Sequence, residues 1–307
     1  MNRLAGIIVA VIGLLVAVLA ILKIIPDLTW TGVFLILLGG LIIGLSFVNK
    51  PDPEDTPRMS TGETLANIFF SPAEVFQNLR QHPRWLAAVL IMSVLSAIFF
   101  SLFMYRLGPD RVTNFAIDKT KEMSIMSEDA RTQVESTRAK ALEDNKNPIL
   151  RVGQAVSSFA GSVVKFAILG GIFFLFALAM GGKMNYWQAF SAAVYAAFPV
   201  AVIQFVLNTI ILFIKDPIDI HPIIGQTSLI QDNLGFLVVP AENPVLFTVL
   251  GMLGLLWFYW IWLNATGIKN TGEKVSSSTA WTAVLTVYFV LIALFAVMSL
   301  LFPSFIS

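Results

Sequence analysis

The chain has 307 residues, 57% of them hydrophobic and only 13% charged, with twenty Lys and Arg against nineteen Asp and Glu and a mean hydropathy of +0.79. Soluble domains run at roughly 45–50% apolar and about 25% charged residues, so this composition excludes an ordinary water-soluble globule and predicts an all-α, polytopic integral membrane bundle. Balanced charge with a pI near 7.9 offers no basic face for nucleic acid, and the absence of cysteine excludes disulfides, thiolate metal sites and a cysteine nucleophile.

A hydrocarbon core about 30 Å thick needs about 20 apolar residues at 1.5 Å rise each. Seven stretches meet that requirement: Leu4–Leu22, Thr29–Val48, Leu86–Tyr105, Ser157–Met180, Trp187–Ile214, Val245–Ala265 and Trp281–Phe302. Lys165 is the only charged residue inside any of them.

Residues 1–48 read as an N-terminal two-span hairpin. Met1-Asn2-Arg3 imitates the basic start of a signal peptide, but the apolar run is too long and no small-x-small site follows, so an uncleaved span is expected. Gly40 and Gly44 form a GxxxG pair suited to close helix approach. Residues 49–64 predict a polar linker, Pro-rich and charged at its start.

Ser71-Pro72-Ala73-Glu74 predicts a capped helix running to His82, with Ser71 as cap, Pro72 in the first turn and Glu74 reaching back to free amides. Phe70 is placed to staple against Val75. Val75, Phe76 and Leu79 share one side of this helix. Directly before a span, such a segment either lies in the headgroup plane as an interfacial helix over 71–82 or packs on the protein's own loops.

Residues 106–151 carry nine basic and eight acidic side chains. Helix starts at Pro109-Asp110 and Ser127-Glu128-Asp129 and a stop at Asn147-Pro148 predict an extramembrane helical hairpin over 107–150. Its mixed charges read as a solvated face or a partner-binding surface. Orientation follows from the short connections: Arg3, Lys50, Arg58, Arg80, Arg84, Lys183, Lys269 and Lys274 lie on the side of the N-terminus, against Lys23 and Lys215. The positive-inside rule then makes the N-terminus cytoplasmic and, with seven spans, the C-terminus extracytoplasmic. Counting the long connection as well reverses the tally.

Chemistry at membrane depth is sparse. Lys165 is a functional hypothesis by default, although a long lysine stem can snorkel to water. In the fifth span, Ala189, Ala193, Ala197 and Ala201 continue into Gln204 and Asn208, a face that must point inward because amides cannot face lipid unpaired. Lys165, Gln204 and Asn208 form the candidate intramembrane polar site. Pro199 predicts a kink, and Trp257, Tyr259, Trp260 and Trp262 an interfacial belt. Asp216, Asp219 and His221 lack the fixed spacing of a metal motif. No nucleotide loop, nucleophile elbow or zinc helix motif occurs, so neither a cofactor nor an enzymatic activity is expected.

Ile68-Phe69-Phe70-Ser71-Pro72-Ala73-Glu74-Val75-Phe76, followed by His82-Pro83-Arg84-Trp85 and a span, resembles the opening of bacterial members of the Yip family, the Ypt/Rab-interacting membrane proteins. Tyr195 and Pro199, then Asn208, resemble a middle span of that family, and Trp260–Asn264, Gly267-Ile268-Lys269 and Ser276–Ser278 its penultimate region. The resemblance covers about Leu65 to Phe302, making Ser71, Pro72, Glu74, Tyr195 and Pro199 family-motif positions. It implies a five-span Yip-like membrane domain over 65–307, with its leading segment in the cytosol. The aspartate-leucine-tyrosine-glycine-proline signature of the eukaryotic branch is missing, so its GTPase binding is not carried over. Two functional classes follow. One is a non-enzymatic organiser or interaction protein of a bacterial inner membrane, contacting lipid and membrane-protein partners or a second copy; the other is a small-solute or ion conduit lined by Lys165, Gln204 and Asn208.

Overall fold

A computed structural model describes residues 2–24, 28–45, 57–123, 126–145 and 148–306. Among these the fold is all-α, with two isolated β-bridges and no strand. In chain order the helices are α1 (Asn2–Ile21), α2 (Thr29–Leu45), α3 (Thr61–Asn67), α4 (Pro72–Gln81), α5 (Leu86–Leu107), α6 (Pro109–Lys121), α7 (Glu128–Ser136), α8 (Arg138–Asp144), α9 (Pro148–Ala179), α10 (Tyr186–Ile214), α11 (Pro244–Gly251), α12 (Leu255–Thr271) and α13 (Ser277–Leu301).

Five segments are long and apolar enough to cross a membrane: Arg3–Ile21, Leu86–Leu107, Ala155–Ala179, Tyr186–Ile214 and Ser277–Leu301. Two of the seven expected spans fall outside this group. Helix α2 is apolar but only 17 residues long among the described residues, about 26 Å at 1.5 Å per residue; the rest of that expected span, and most of the charged part of the linker, lie outside the described residues. The expected sixth span is broken. Its backbone stops at Gly251 and restarts at Leu255, because a loop docks into the gap. Asn233 bridges to Gly254, and the Asp232 carboxylate accepts the Leu256 amide at 2.8 Å, serving as a cap supplied from a distant residue. A Cβ at Gly254 would sit 2.9 Å from Asn233 Cβ, so only glycine leaves room for this docking.

The chain forms two compact units. The first comprises Met1–Val94, Ile149–Pro199 and Trp262–Val284; the second comprises Leu95–Pro148, Val200–Ile261 and Leu285–Ser307. In the first, α1 and α2 pack as the expected antiparallel hairpin, but not through Gly40 and Gly44, which have open space around them. The contact runs through Gly6 and Gly13 of α1 and Gly32 and Gly39 of α2. A Cβ at Gly13 would lie 2.6 Å from the Ile36 nitrogen, one at Gly32 2.6 Å from that of Ala17, and one at Gly39 2.6 Å from that of Ala10. Each pair of glycines is seven residues apart, a spacing that keeps both on the same seam. Leu14, Leu15, Leu37 and Leu41 point outward instead. Lipid tails solvate leucine as well as another helix does, so the small residues take the interior and close packing supplies the attraction.

The same logic governs α10, whose residues Ala189–Ala196 are all buried. A Cβ at Gly170 of α9 would lie 2.7 Å from Phe190 Cα. Asn185 and Gln188 cap the start of α10 reciprocally, amide to side chain, at 2.8 and 2.9 Å. The helix is continuous through Pro199.

In the second unit, Phe99, Phe103, Met104, Leu107, Val112, Leu212 and Ile220 form the apolar core. Two arginines fasten the connection after α10. Arg106 donates to the Leu212 and Lys215 carbonyls, and Arg111 to those of Pro217, Ile218 and Ile220. Gly108, at φ +84°, makes the left-handed turn that separates α5 from α6.

The glycine seam yields a direct test. Gly13→Leu or Gly32→Leu forces α1 and α2 apart, and overpacking of this kind costs about 1–3 kcal/mol or more. Both variants should melt earlier than the parent in detergent, whereas Gly40→Leu and Gly44→Leu should leave the transition unmoved. Equal effects from all four would remove the seam from the account.

Candidate functional site

The apolar face of α4 is sealed by the chain itself. Val75, Phe76 and Leu79 are all fully buried, and Phe76 packs where Gly267 of α12 lacks a side chain. A helix lying in the headgroup plane would offer these residues to lipid, so of the two expectations the packed one describes α4. The expected capping of α4 is also absent. Ser71 makes no side-chain cap, and Phe70 is 85% exposed rather than stapled to Val75. The reciprocal box sits one helix earlier. Ser60 N donates to Glu63 Oε2 at 2.6 Å and Glu63 N to Ser60 Oγ at 3.1 Å, opening α3 in a stretch expected to be linker. The Ser60 backbone amide, and after it the Ser60 side chain, hold the Glu63 carboxyl below its usual range. Polar groups tie α4 sideways: Gln188 donates to the Arg80 carbonyl at 2.9 Å, and Arg80 lies 3.7 Å from Glu273.

From this base α4 presents Asn78 to Arg84. The Arg84 guanidinium donates to the Met59 carbonyl at 2.7 Å, to Asn78 Oδ1 at 3.2 Å and to Thr64 Oγ1. Asn78 in turn donates to the Pro57 carbonyl at 3.0 Å and accepts the Met59 amide at 3.3 Å. Pro83 ends the α4 segment, and Arg84 then projects inward at the start of α5. The side chain is 4% exposed, and burial pushes its pKa below the ordinary arginine value.

Beside Arg84 lies a cavity of about 70 Å³ lined by Leu4, Ala5 and Ile8 of α1, Thr61 of α3, Arg84 and Trp85, Leu86 and Ala87 of α5, and Tyr195 of α10. Trp85 is 1% exposed and Tyr195 fully buried. Arg84 Nε, Trp85 Nε1 and Tyr195 Oη make no hydrogen bond among the described residues. Each buried donor left unsatisfied costs about 1–3 kcal/mol. Three together rival a sizeable part of a domain's stability of about 5–15 kcal/mol, so this cluster is a feature to be accounted for.

The expected intramembrane site is arranged differently. Lys165 is exposed on the surface of α9, its Nζ 4.9 Å from the centre of the Phe166 ring and about 15 Å along the helix from Ala155. Asn208 is 3% exposed and accepts the Leu229 amide at 2.8 Å, which fixes the loop after α10; Gln204 is half-buried. None of the three lines the cavity at Arg84. Asp216 caps its own turn by accepting the Ile218 amide, and His221 Nδ1 accepts the Ile223 and Ile224 amides, so both serve loop geometry.

A model of the Yip1 domain matches residues 66–300. The chain belongs to the Yip1 domain family. Neither a curated protein nor a solved structure matches it. The Yip1 match begins within α3 and includes Arg84, Trp85 and Tyr195, whereas the α1 wall of the cavity and the Met59 carbonyl lie before it. Of the family-motif positions, Tyr195 reaches the cavity, Pro199 lies inside α10, and Ser71, Pro72 and Glu74 start α4. Arg84 belongs to the quoted His82–Trp85 motif, but its burial is not visible in sequence because the partners Thr64 and Asn78 read as ordinary polar residues.

The second polar assembly is the α6–α8 layer. Arg138 donates to Asn114 Oδ1 at 2.8 Å, Asp118 Oδ1 at 2.5 Å and Glu135 Oε1 at 2.8 Å, and Lys121 reaches Glu135 at 2.8 Å. Ser127 caps α7 as expected, accepting the Ala130 amide. Hydrogen bonds from Arg138 and Lys121 hold the Glu135 carboxyl down to about 2, and the bonds that Arg138 makes to Glu135 and Asp118 raise Arg138. A depressed carboxylate stabilises the folded form fully above its unfolded value of 4.5 and loses that contribution as pH falls through about 2. Amide protection in α7 and α8, referenced to the intrinsic exchange rate at each pH, should therefore fall between these two pH values. Arg138→Gln should shrink that fall and end it at a higher pH; protection that is flat across the window would discount the Glu135 bridge.

Proposed function

We propose that this Yip-type multi-pass membrane protein is a non-enzymatic organiser or interaction protein, and that α6–α8 is the surface it offers to membrane-protein partners or to a second copy. The observation that carries the reading is the build of that layer. Arg111 fastens α6 to three carbonyls of the loop after α10, Ser304 donates to the Lys119 carbonyl, and Asn145 donates to Thr113 Oγ1 at 2.8 Å. Its outer helices, α7 and α8, bury none of their residues. A layer held this firmly at its base and left open on its face suits recognition, because little ordering remains to be done on binding.

The conduit reading has less support. Lys165 projects from the surface of α9 and the Asn208 carbonyl is already engaged by a loop amide. We further propose a bacterial inner membrane location, with a cytoplasmic N-terminus from the short-loop charge count.

Photo-crosslinking residues placed at exposed Thr132 and Glu143 should give discrete protein adducts in native membranes, while the same group at Leu175 should label lipid. In proteoliposomes, common ions and small solutes should leak no faster than from empty vesicles. Flux that disappears with Lys165→Ala or Asn208→Ala would replace the organiser with the conduit.

A further inference from the structure

In sequence the stretch between α10 and α12 is a connection between spans, yet its anchoring points lie within the thickness of the bilayer. Two helices measure the depth. Helix α10 stays apolar to Ile214, which is 80% exposed, and its first charge is Lys215. Asn208, whose side chain accepts the Leu229 amide, stands about 9 Å back from Ile214 at 1.5 Å per residue. Helix α12 supplies the second measure. Its far end lies at the level where α10 begins, because Lys183 and Glu273 bridge there. From Lys269 back to Leu255 the helix climbs about 21 Å, some 9 Å short of crossing a hydrocarbon core of about 30 Å. Any tilt of α12 deepens its start further. At that depth Asn233 bridges to Gly254, and the Asp232 carboxylate accepts the Leu256 amide.

The chain therefore emerges after Ile214, returns to this depth by Leu229–Asn233, climbs through the 3₁₀ turn Leu234–Leu237 and descends again as α11. The eight residues of α11 cover about 12 Å, enough to join the break to the membrane surface, and at their upper end Glu242 and Asn243 are exposed. The backbone is paired as lipid demands. Leu234 donates its amide to the Leu253 carbonyl, Gly235 to Asn233 Oδ1 and Leu255 to the Asp232 carbonyl. The Asp232 carboxylate, carried down with the chain, sits on the amide end of α12, where the helix dipole favours a negative charge. The outer face is apolar. From Leu229 to Val239 the exposed side chains are Leu234, Phe236, Leu237 and Val239, with Gln231 the one polar member, and Leu246 of α11 is exposed as well. Phe236 and Leu237 are 64% and 65% exposed. At this depth such residues meet the same surroundings as Ile210 and Phe213 on the outside of α10.

We propose that Leu229–Gly254 is a re-entrant hairpin in the leaflet on the α6–α8 side, and that Phe236, Leu237, Val239 and Leu246 are covered by the acyl chains of that leaflet. The hairpin displaces lipid from one leaflet alone, over the stretch that α12 leaves uncrossed.

The chain contains no cysteine, so single cysteines can be introduced and spin-labelled in the full chain, reconstituted in phosphatidylcholine liposomes. Labels at Phe236, Leu237 and Leu246 should collide with oxygen several-fold more often than with a water-soluble nickel chelate, as a label at exposed Leu175 of α9 should. A label at Glu242 should show the opposite preference. Depth read from the two collision rates should decrease from Leu234 to Val239 and vanish at Glu242, the signature of a chain climbing out of the membrane. Nickel collisions at Phe236 and Leu237 equal to those at Glu242 would put the segment in water and overturn the proposal. One shallow depth shared by all these labels would describe a loop lying flat on the surface, and would overturn the re-entrant path. Poor access to both reagents, with or without dipolar broadening between copies, would mean that protein covers the face in place of lipid and would overturn it equally.

Discussion

Lipid removes the usual reward for hiding large apolar side chains, and the rest of this structure follows from that. With leucine equally comfortable outside, helices gain most from contacts that lipid cannot imitate: backbone laid against backbone, and polar groups given partners. The α1–α2 seam is made of Gly6, Gly13, Gly32 and Gly39, and Ala189, Ala192, Ala193 and Ala196 are buried along one side of the first half of α10, while Leu14, Leu15, Leu37 and Leu175 face out. A glycine opposite makes space for an aromatic ring, as Gly267 does for Phe76, or for backbone, as Gly170 does for that of Phe190.

The same constraint explains how irregular backbone is tolerated. The chain between α10 and α12 contains short 3₁₀ turns rather than a simple connection. Its exposed amides are claimed by side chains from the same stretch or from α10: Asn208 takes the Leu229 amide, Asp232 that of Leu256, Asn233 that of Gly235. On the donor side, Arg106 and Arg111 cover five carbonyls between them. Asn208 therefore has an ordinary reason to be buried in an apolar helix, which a solute pathway does not improve upon.

Much of this was legible in sequence, because hydropathy reports which residues water rejects. The all-α membrane class rests on long apolar runs, the helix starts at Pro109 and Ser127 on local capping patterns, and the family of residues 66–300 on a few short motifs. What failed to show were choices among chemically equal residues. Gly40 and Gly44 carry the familiar motif, yet Gly32 and Gly39 make the contact, because register in a hairpin is set by the turn and the partner helix. Ser71-Pro72-Ala73-Glu74 and Ser60-Thr61-Gly62-Glu63 both spell a capping box, and only the second forms one. The break between Gly251 and Leu255 depends on a loop some twenty residues earlier in the chain, which no local pattern announces. Arg84 was equally hidden, since a lone arginine before a span reads as a topology signal until its acceptors are located in space.

Arg84 also shows where family and individual meet. Its guanidinium lies inside the Yip1 match, while one of its acceptors, the Met59 carbonyl, and the α1 side of the adjacent cavity precede that match. The arginine thus fastens a segment outside the domain to the domain's own α4 and α5. Lysine could not replace it there, because three acceptors in different directions need a planar, multi-donor head rather than a point charge. A side chain chosen for that fastening still has an Nε–H left over, and the chain spends neither a carbonyl nor a carboxylate on it. Trp85 Nε1, on the next residue, and Tyr195 Oη, on α10, are unmatched in the same way among the described residues, so fixing the leading segment leaves three buried donors without acceptors at this one place.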